Sequence, residues 1–190
     1  DSQHHLADLR SLSEIGERAG KRAAKRVSPR QVPSQSTTVI FDPRIAKSLV
    51  GHLASAVNGA SIARKTSFLR DDLGQKIFSD AVTILDEPHL MRGLGSRPFD
   101  ADGIRPDRLS LVEDGVLQGW LLDNASAREL GLTTNGRANR AGSGTSPGST
   151  NLTLMPGKRS PKDMIAALEE GFYVTELIGQ GVDLITGDYS

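Results

Sequence analysis

The 190-residue chain contains no cysteine. That excludes disulfides and thiolate metal sites, and it fits a reducing compartment. Aromatic residues make up only 4% of the chain, so a core must be built mostly from Leu, Val, Ile and Ala. Charge of neither sign is in excess, with 23 Lys and Arg against 23 Asp and Glu. A dedicated nucleic-acid binder shows a basic surplus, and this chain has none. No apolar run approaches the roughly 20 residues that a membrane-spanning helix requires. Histidine is scarce as well: His4, His5, His52 and His89 are the full set. What is present is 37% hydrophobic residue, enough for one domain with a sizeable core, or for one and part of another.

Periodicity predicts a first helix from Leu6 to Val27, with Leu6, Leu9, Leu12 and Ile15 as its buried stripe. Lys21, Arg22, Lys25 and Arg26 crowd its last turns, where cations suit the helix dipole. In a neutral chain that run reads as a solvated helix end. Ser28-Pro29 ends the helix, and Gln31 to Gln35, containing Pro33, is the best linker. Thr37 to Phe41 reads as a strand. Asp42 is then a good N-cap, and Pro43 suits the first helical position, where its missing N–H costs nothing. Ile45, Leu49, Val50, Leu53 and Val57 give this second helix one apolar face, and Asn58-Gly59 closes it. Ser61 to Lys76 is polar, helical or irregular. Ala81 to Leu85 is a short buried strand. The carboxylates of Asp86-Glu87-Pro88 read as a strand-ending turn, not as acid–base machinery beside His89, because neighbours in sequence diverge in space. Asp100 to Gly103 fails as a calcium loop, since Pro98 and Leu109 stand where ligating acids are required.

The strongest local signal is a hairpin. Leu109 to Glu113 and Val116 to Leu121 flank Asp114-Gly115, a pair suited to a type I′ turn with positive φ. Asn124 to Leu130 is a short helix stopped by Gly131. Thr133 to Thr150 is rich in Gly, Ser, Asn and Thr and reads by composition as a flexible linker. Gly142-Ser143-Gly144 within it is no phosphate loop, because Gly157-Lys158 is followed by Arg159 and no strand–loop–helix frame surrounds the glycines. Asn151 to Met155 alternates as a strand. Ser160 caps a helix to Glu170 whose apolar face is Met164, Ile165 and Leu168, with Pro161 at its first position and Asp163 completing a capping-box-like start. Phe172 to Thr175 and Val182 to Thr186 read as strands around Gly179-Gln180-Gly181.

Taken in order, Phe41-Asp42-Pro43 before a helix, Gly95-Ser96-Arg97-Pro98-Phe99, the Asp114-Gly115 hairpin, Gly119-Trp120-Leu121-Leu122-Asp123, the Asn135-Gly136-Arg137 turn, Leu154-Met155-Pro156-Gly157 and the Ser160-capped helix resemble the TldD/PmbA family, peptidases once called modulators of DNA gyrase. The resemblance implies an α+β fold with a mixed, largely antiparallel sheet, hairpins and flanking helices. It implies three parts: residues 1–30 as a helix from the end of an N-terminal domain, 31–36 as a linker, and 37–190 as the C-terminal-type domain, incomplete at its C-terminal end. In the catalytic branch the helix after Pro43 carries a His-Glu-x-x-x-His zinc motif. The matching positions here read Val50-Gly51-His52-Leu53-Ala54-Ser55, so valine, glycine and serine replace two imidazoles and a carboxylate.

A hydrolytic zinc takes about three protein ligands and a nearby base. Val50 and Gly51 offer no lone pair, Ser55 is a poor ligand, and His52 is out of register. The resemblance therefore implies the PmbA/TldE-like branch. It implies no catalytic residue or metal ligand in this chain, with zinc in a TldD-like partner. A cytoplasmic heterodimer, or a homodimer, would act in the proteolysis and maturation of unfolded peptides, without contact to nucleic acid or membrane. His52, Asn58, Asn135 and Arg137 are the candidate cleft residues, with Thr133 to Thr150 a loop near the cleft. Charge reversal at Arg137 is expected to weaken substrate capture more than folding. Two alternatives stay open: a self-sufficient metallopeptidase using His52, His89 and an acid such as Asp86, and a peptide-binding module without catalysis. Since His52 shares the apolar face with Ile45 and Leu49, it is expected to be packed and hydrogen-bonded.

Overall fold

The computed structural model describes residues 2–179 and 181–189; Gln180, in the expected glycine turn, and Ser190 lie outside the described residues. The chain divides into two units, Asp1–Thr37 and Thr38–Ser190.

The first unit holds a single 3-10 turn, Leu6–Asp8, and helix α1, Leu12–Ala24. The helix starts later than its periodicity suggests because Ser11 caps it, accepting from the Glu14 N–H at 3.2 Å, while Leu9 is extended. Its side chains pair along the surface as Arg18–Glu14 and Lys21–Glu17. The expected stripe is not buried: Leu6 is 85% and Leu12 88% exposed.

In the second unit β1, Val39–Phe41, leads into α2, Pro43–Ala56. Asp42 caps α2 and Pro43 takes its first position, as the sequence predicts. The helix closes at Val57; Asn58 is instead the cap of a new helix, α3, Gly59–Ala63, its Oδ1 accepting from the Ala60 and Ser61 N–H groups. Next come β2, Ile84–Asp86, and the hairpin of β3, Leu109–Glu113, with β4, Val116–Leu117. Asp114 and Gly115 have φ of 48° and 81°, the two positive values a type I′ turn demands. Helix α4, Asn124–Glu129, has a full capping box between Asp123 and Ser126 and stops before Gly131 at φ 67°.

The Gly/Ser-rich stretch is no flexible linker. It forms a second hairpin, β5, Ala138–Ala141, with β6, Gly144–Pro147, and Gly142 turns the corner at φ 63°. Strand β7, Leu152–Leu154, is followed by α5, Pro161–Ala166, and β8, Phe172–Val174. The antiparallel sheet has the order β4-β3-β2-β7, and β1 pairs with β8 in parallel. The expected strand Val182 to Thr186 is a turn around Asp183, whose Oδ1 accepts from Ile185 and Thr186. Among the described residues its one bridge is Val182 to Tyr189, and β8 pairs with β1 instead. The α5 face is half open, with Met164 41% and Ile165 45% exposed. The core lies between α2 and the sheet: Leu53, Ala56 and Val57 meet Ile84, Leu111, Val112, Leu117 and Leu121. With so few aromatics, the aliphatic core expected from composition is what forms.

Candidate functional site

The site is built on α2, and its position is fixed at both ends. At the N-terminus the Asp42 carboxylate accepts from the Arg44 N–H at 3.0 Å and from the Tyr173 hydroxyl at 3.1 Å, while Arg44 Nη2 donates to the Thr175 carbonyl at 3.1 Å. Partial burial pushes the Asp42 carboxyl upward, but the Arg44 N–H, the Tyr173 hydroxyl and the Arg44 charge outweigh it and hold it below the usual carboxylate range. At the C-terminus Val57 is buried, and its carbonyl accepts from the Leu121 N–H at 2.9 Å.

Between these ends α2 separates two cavities. One is a polar cleft of about 540 Å³ that Ser55, Asn58 and Ser61 share with Asp123, Thr145 and Ser146. Arg64 and Glu129 bring charge of both signs to its walls. The other is an apolar cavity of about 430 Å³ that Val50 and His52 share with Leu49, Phe68, Phe78 and Leu154. Val50 and Ser55 thus face different cavities, as expected of residues five apart on a helix of 3.6 residues per turn, about 140° around its axis.

The donor set does not fit zinc. Val50 and Gly51 carry no donor atom, and Ser55 Oγ donates to the Gly51 carbonyl at 3.2 Å. His52 is packed edge-on against Tyr189, ring centroids 5.6 Å apart, but its buried Nε2 has no hydrogen-bond partner among the described residues, in contrast to the expectation. His89 and Asp86 are committed elsewhere. His89 Nε2 donates to the Pro106 carbonyl at 2.8 Å, and Asp86 is fully buried against Arg137. Among the described residues no group of three His, Asp or Glu side chains is placed to hold a metal ion.

Of the four candidate cleft residues, only Asn58 lines the polar cleft, where its Nδ2 donates to the Pro147 carbonyl at 2.7 Å and ties β6 to α3. His52 belongs to the apolar cavity. Asn135 and Arg137 are structural. Asn135 bridges the Trp120 carbonyl and the Leu122 N–H at 2.8 and 2.9 Å. Arg137 is 0% exposed, so its expected place on an open loop is corrected. Its Nε donates to Asp86 Oδ2 at 2.6 Å, and its Nη atoms to the Asn135 and Asp107 carbonyls at 2.7 and 2.6 Å. The remaining Asp86 lone pairs accept from the Thr150 N–H and hydroxyl at 2.7 and 2.9 Å. Nothing in the local sequence at either residue signals this pair, which joins positions 51 residues apart. Sequence reasoning also missed Arg64 and Glu129, two ordinary surface residues until the fold sets them across one cleft.

Residues 34–190 match the family model described as the PmbA/TldA metallopeptidase C-terminal domain. The chain belongs to the PmbA/TldD metallopeptidase family. It is 40% identical over 185 residues to the metalloprotease PmbA of Escherichia coli O157:H7, covering 97% of this chain and 39% of that protein. A protein of Bacteroides thetaiotaomicron, named for modulation of DNA gyrase, superposes with a TM-score of 0.87 at 32% identity, over 98% of this chain and 40% of its own. TldE of Thermococcus kodakarensis gives a TM-score of 0.76 at 28% identity, over 91% and 41%. The chain thus spans about two fifths of the length of these relatives. Their fold bears out the α+β architecture expected from sequence. No helix among the described residues is long and apolar enough to cross a membrane.

Proposed function

We propose that this PmbA/TldE-like chain serves a metallopeptidase assembly as the subunit that lacks its own zinc motif. The observation that carries this reading is α2: at the three positions where the catalytic branch places its donors, the chain has Val50, Gly51 and Ser55. Two of these have no donor atom, and the outer two open onto different cavities. A cytoplasmic TldD-like subunit supplies the zinc, and the present chain completes the particle and shapes a cleft for unfolded peptide. The polar cleft beside α2, with hydroxyls, amides and charges of both signs, suits a peptide main chain of varied sequence better than one fixed small molecule. On this reading residues 1–30 close a preceding domain, 31–36 link, and 37–190 form the C-terminal-type domain.

The test is metal content and peptide cleavage by the purified protein, alone and mixed with a TldD-like subunit. The expected result is no stoichiometric metal and no cleavage alone, with chelator-sensitive cleavage in the mixture that Ser55→Ala leaves nearly unchanged. Stoichiometric zinc with cleavage by the protein alone would establish a self-sufficient metallopeptidase and overturn the proposal. Peptide binding with no gain of cleavage in the mixture would favour a binding module.

A further inference from the structure

Asn-Gly is the dipeptide most prone to spontaneous deamidation, and the second unit holds two such steps, Asn58-Gly59 and Asn135-Gly136. In an open chain the Gly nitrogen, once a base has taken its proton, attacks the Asn side-chain carbon Cγ. The Cγ–Nδ2 bond breaks and ammonia leaves, closing a cyclic imide. Water then opens the imide at either carbonyl and leaves aspartate or isoaspartate. Glycine makes the step fast because no side chain hinders its nitrogen.

The fold needs both residues at each step. The Asn135 amide uses its two ends on one segment, donating from Nδ2 to the Trp120 carbonyl at 2.8 Å and accepting at Oδ1 from the Leu122 N–H at 2.9 Å. The Asn58 amide does the same between elements, with Oδ1 capping α3 and Nδ2 donating to the Pro147 carbonyl of β6 at 2.7 Å. An aspartate carboxylate only accepts, so it cannot replace either amide. The glycines are equally constrained. A Cβ on Gly59 would lie 2.6 Å from the Leu121 carbonyl oxygen, and one on Gly136, at φ 70°, would lie 2.9 Å from Pro106 Cα.

Folding also disarms both steps. The attacking nitrogens are engaged elsewhere: the Gly59 N–H donates to the Leu121 carbonyl at 2.8 Å and the Gly136 N–H to Thr134 Oγ1 at 3.2 Å. The bonds at both ends of each amide hold Cγ in place. At Asn58, ring closure requires the Gly59 nitrogen to eclipse Cβ, and the extended ψ of 120° turns it away. Every partner named lies within the second unit, so none of these bonds waits on a neighbouring surface.

We propose that Asn58 and Asn135 are conformationally gated deamidation sites, intact in the folded second unit and converted when it opens. Conversion then bars the way back. A carboxylate oxygen replaces Nδ2 against the carbonyl of Pro147 or Trp120, setting two acceptors face to face with no proton between them. Aspartate remains a sound N-cap at position 58, so the damage there falls on the tie between α3 and β6. Isoaspartate adds a carbon to the backbone and shifts every bond beyond it. The two sites together time how long a chain has stayed open.

Peptide-mapping mass spectrometry of the full protein tests this, with the protein held in mildly alkaline buffer, folded or in guanidinium chloride. In denaturant both sites should convert as fast as a short Asn-Gly peptide. In the folded protein they should convert about tenfold more slowly or less, because reaction waits for an opening. After dilution from denaturant, converted chains should be depleted from the fraction that regains a cooperative thermal transition. Asn58→Asp and Asn135→Asp, made directly, should lower the thermal midpoint or fail to refold. Equal rates in the folded and unfolded protein at either site would overturn the proposal. So would recovery of converted chains in the folded fraction in proportion to their share, or a parental midpoint for either Asp variant.

Discussion

Arg137 shows how far a residue's role can lie from what its neighbours suggest. It sits between Gly136 and a run of Gly, Ser, Asn and Thr, yet it is 0% exposed and ion-paired with an equally buried Asp86. The pair is well satisfied. The guanidinium reaches two further carbonyls, and the carboxylate accepts twice more from Thr150. Removing one partner of such a pair leaves an uncompensated buried charge, at a cost of about 3–5 kcal/mol. Arg137→Glu sets two carboxylates together and should do at least that damage. The expectation from sequence, a loss of capture exceeding any loss of folding, is therefore reversed. Urea unfolding should show Arg137→Glu strongly destabilised or unfolded. Arg137→Met, which keeps the bulk but orphans Asp86, should lower the midpoint by the same order. A midpoint within experimental error of the parent for either variant would show that the pair contributes nothing.

At the scale of elements, the helix caps were legible in the sequence and their surroundings were not. Asp42 and Ser160 each cap the helix that their spacing predicts, because a cap is a local bond between a side chain and a backbone N–H two or three residues on. The Asp114-Gly115 hairpin was legible for the same reason, since two positive φ values select few residue pairs. The β5–β6 hairpin was not, because its register rests on distant partners: Asn58 holds Pro147, and Asp86 holds Arg137. Nor was the parallel pairing of β1 with β8, whose residues are over 130 positions apart. The same limit governed the site. The lack of donors at Val50 and Gly51 could be read directly, but the two cavities that α2 separates could not.

Two element-scale predictions follow from close contacts. A Cβ on Gly59 would lie 2.6 Å from the Leu121 carbonyl oxygen and 2.7 Å from Leu122 Cδ2 and Ser126 Oγ. Gly59→Ala should therefore loosen the packing of α3 on α4, costing roughly 1–3 kcal/mol as overpacking does, with a lower thermal midpoint as the readout. Asp42→Ala should remove the α2 cap and its bond to Tyr173, at about 1 kcal/mol near neutral pH. The Asp42 carboxyl is held below its ordinary 3.8 in the folded protein, so its contribution is complete above 3.8 and is lost as pH falls through the depressed folded value. Denaturation curves of parent and Asp42→Ala should differ by a constant amount from neutral pH down to about 4 and converge below that. A gap that widens on acidification would give the shift the opposite sign.

For the whole molecule, the telling quantity is the balance of charge. Relatives of this fold are named for DNA gyrase, and direct DNA binding would explain such a name most simply. The chain carries 23 basic and 23 acidic side chains, and in its densest basic run, Lys21 to Arg26 at the C-terminal end of α1, Lys21 is paired with Glu17. Non-specific affinity for duplex DNA comes from displaced counterions and grows with the number of phosphates a protein neutralises at once. A chain with zero formal net charge offers no surplus of cations for that exchange. The chain should therefore show no retention of a random-sequence duplex at physiological salt in an electrophoretic shift. Any weak retention at about 50 mM salt should vanish with a shallow salt slope, and Lys25→Glu with Arg26→Glu should remove it. A steep slope with retention at physiological salt would show that the fold gathers its basic side chains into a nucleic-acid surface, and the peptide-handling reading would then have to share this chain with a second ligand.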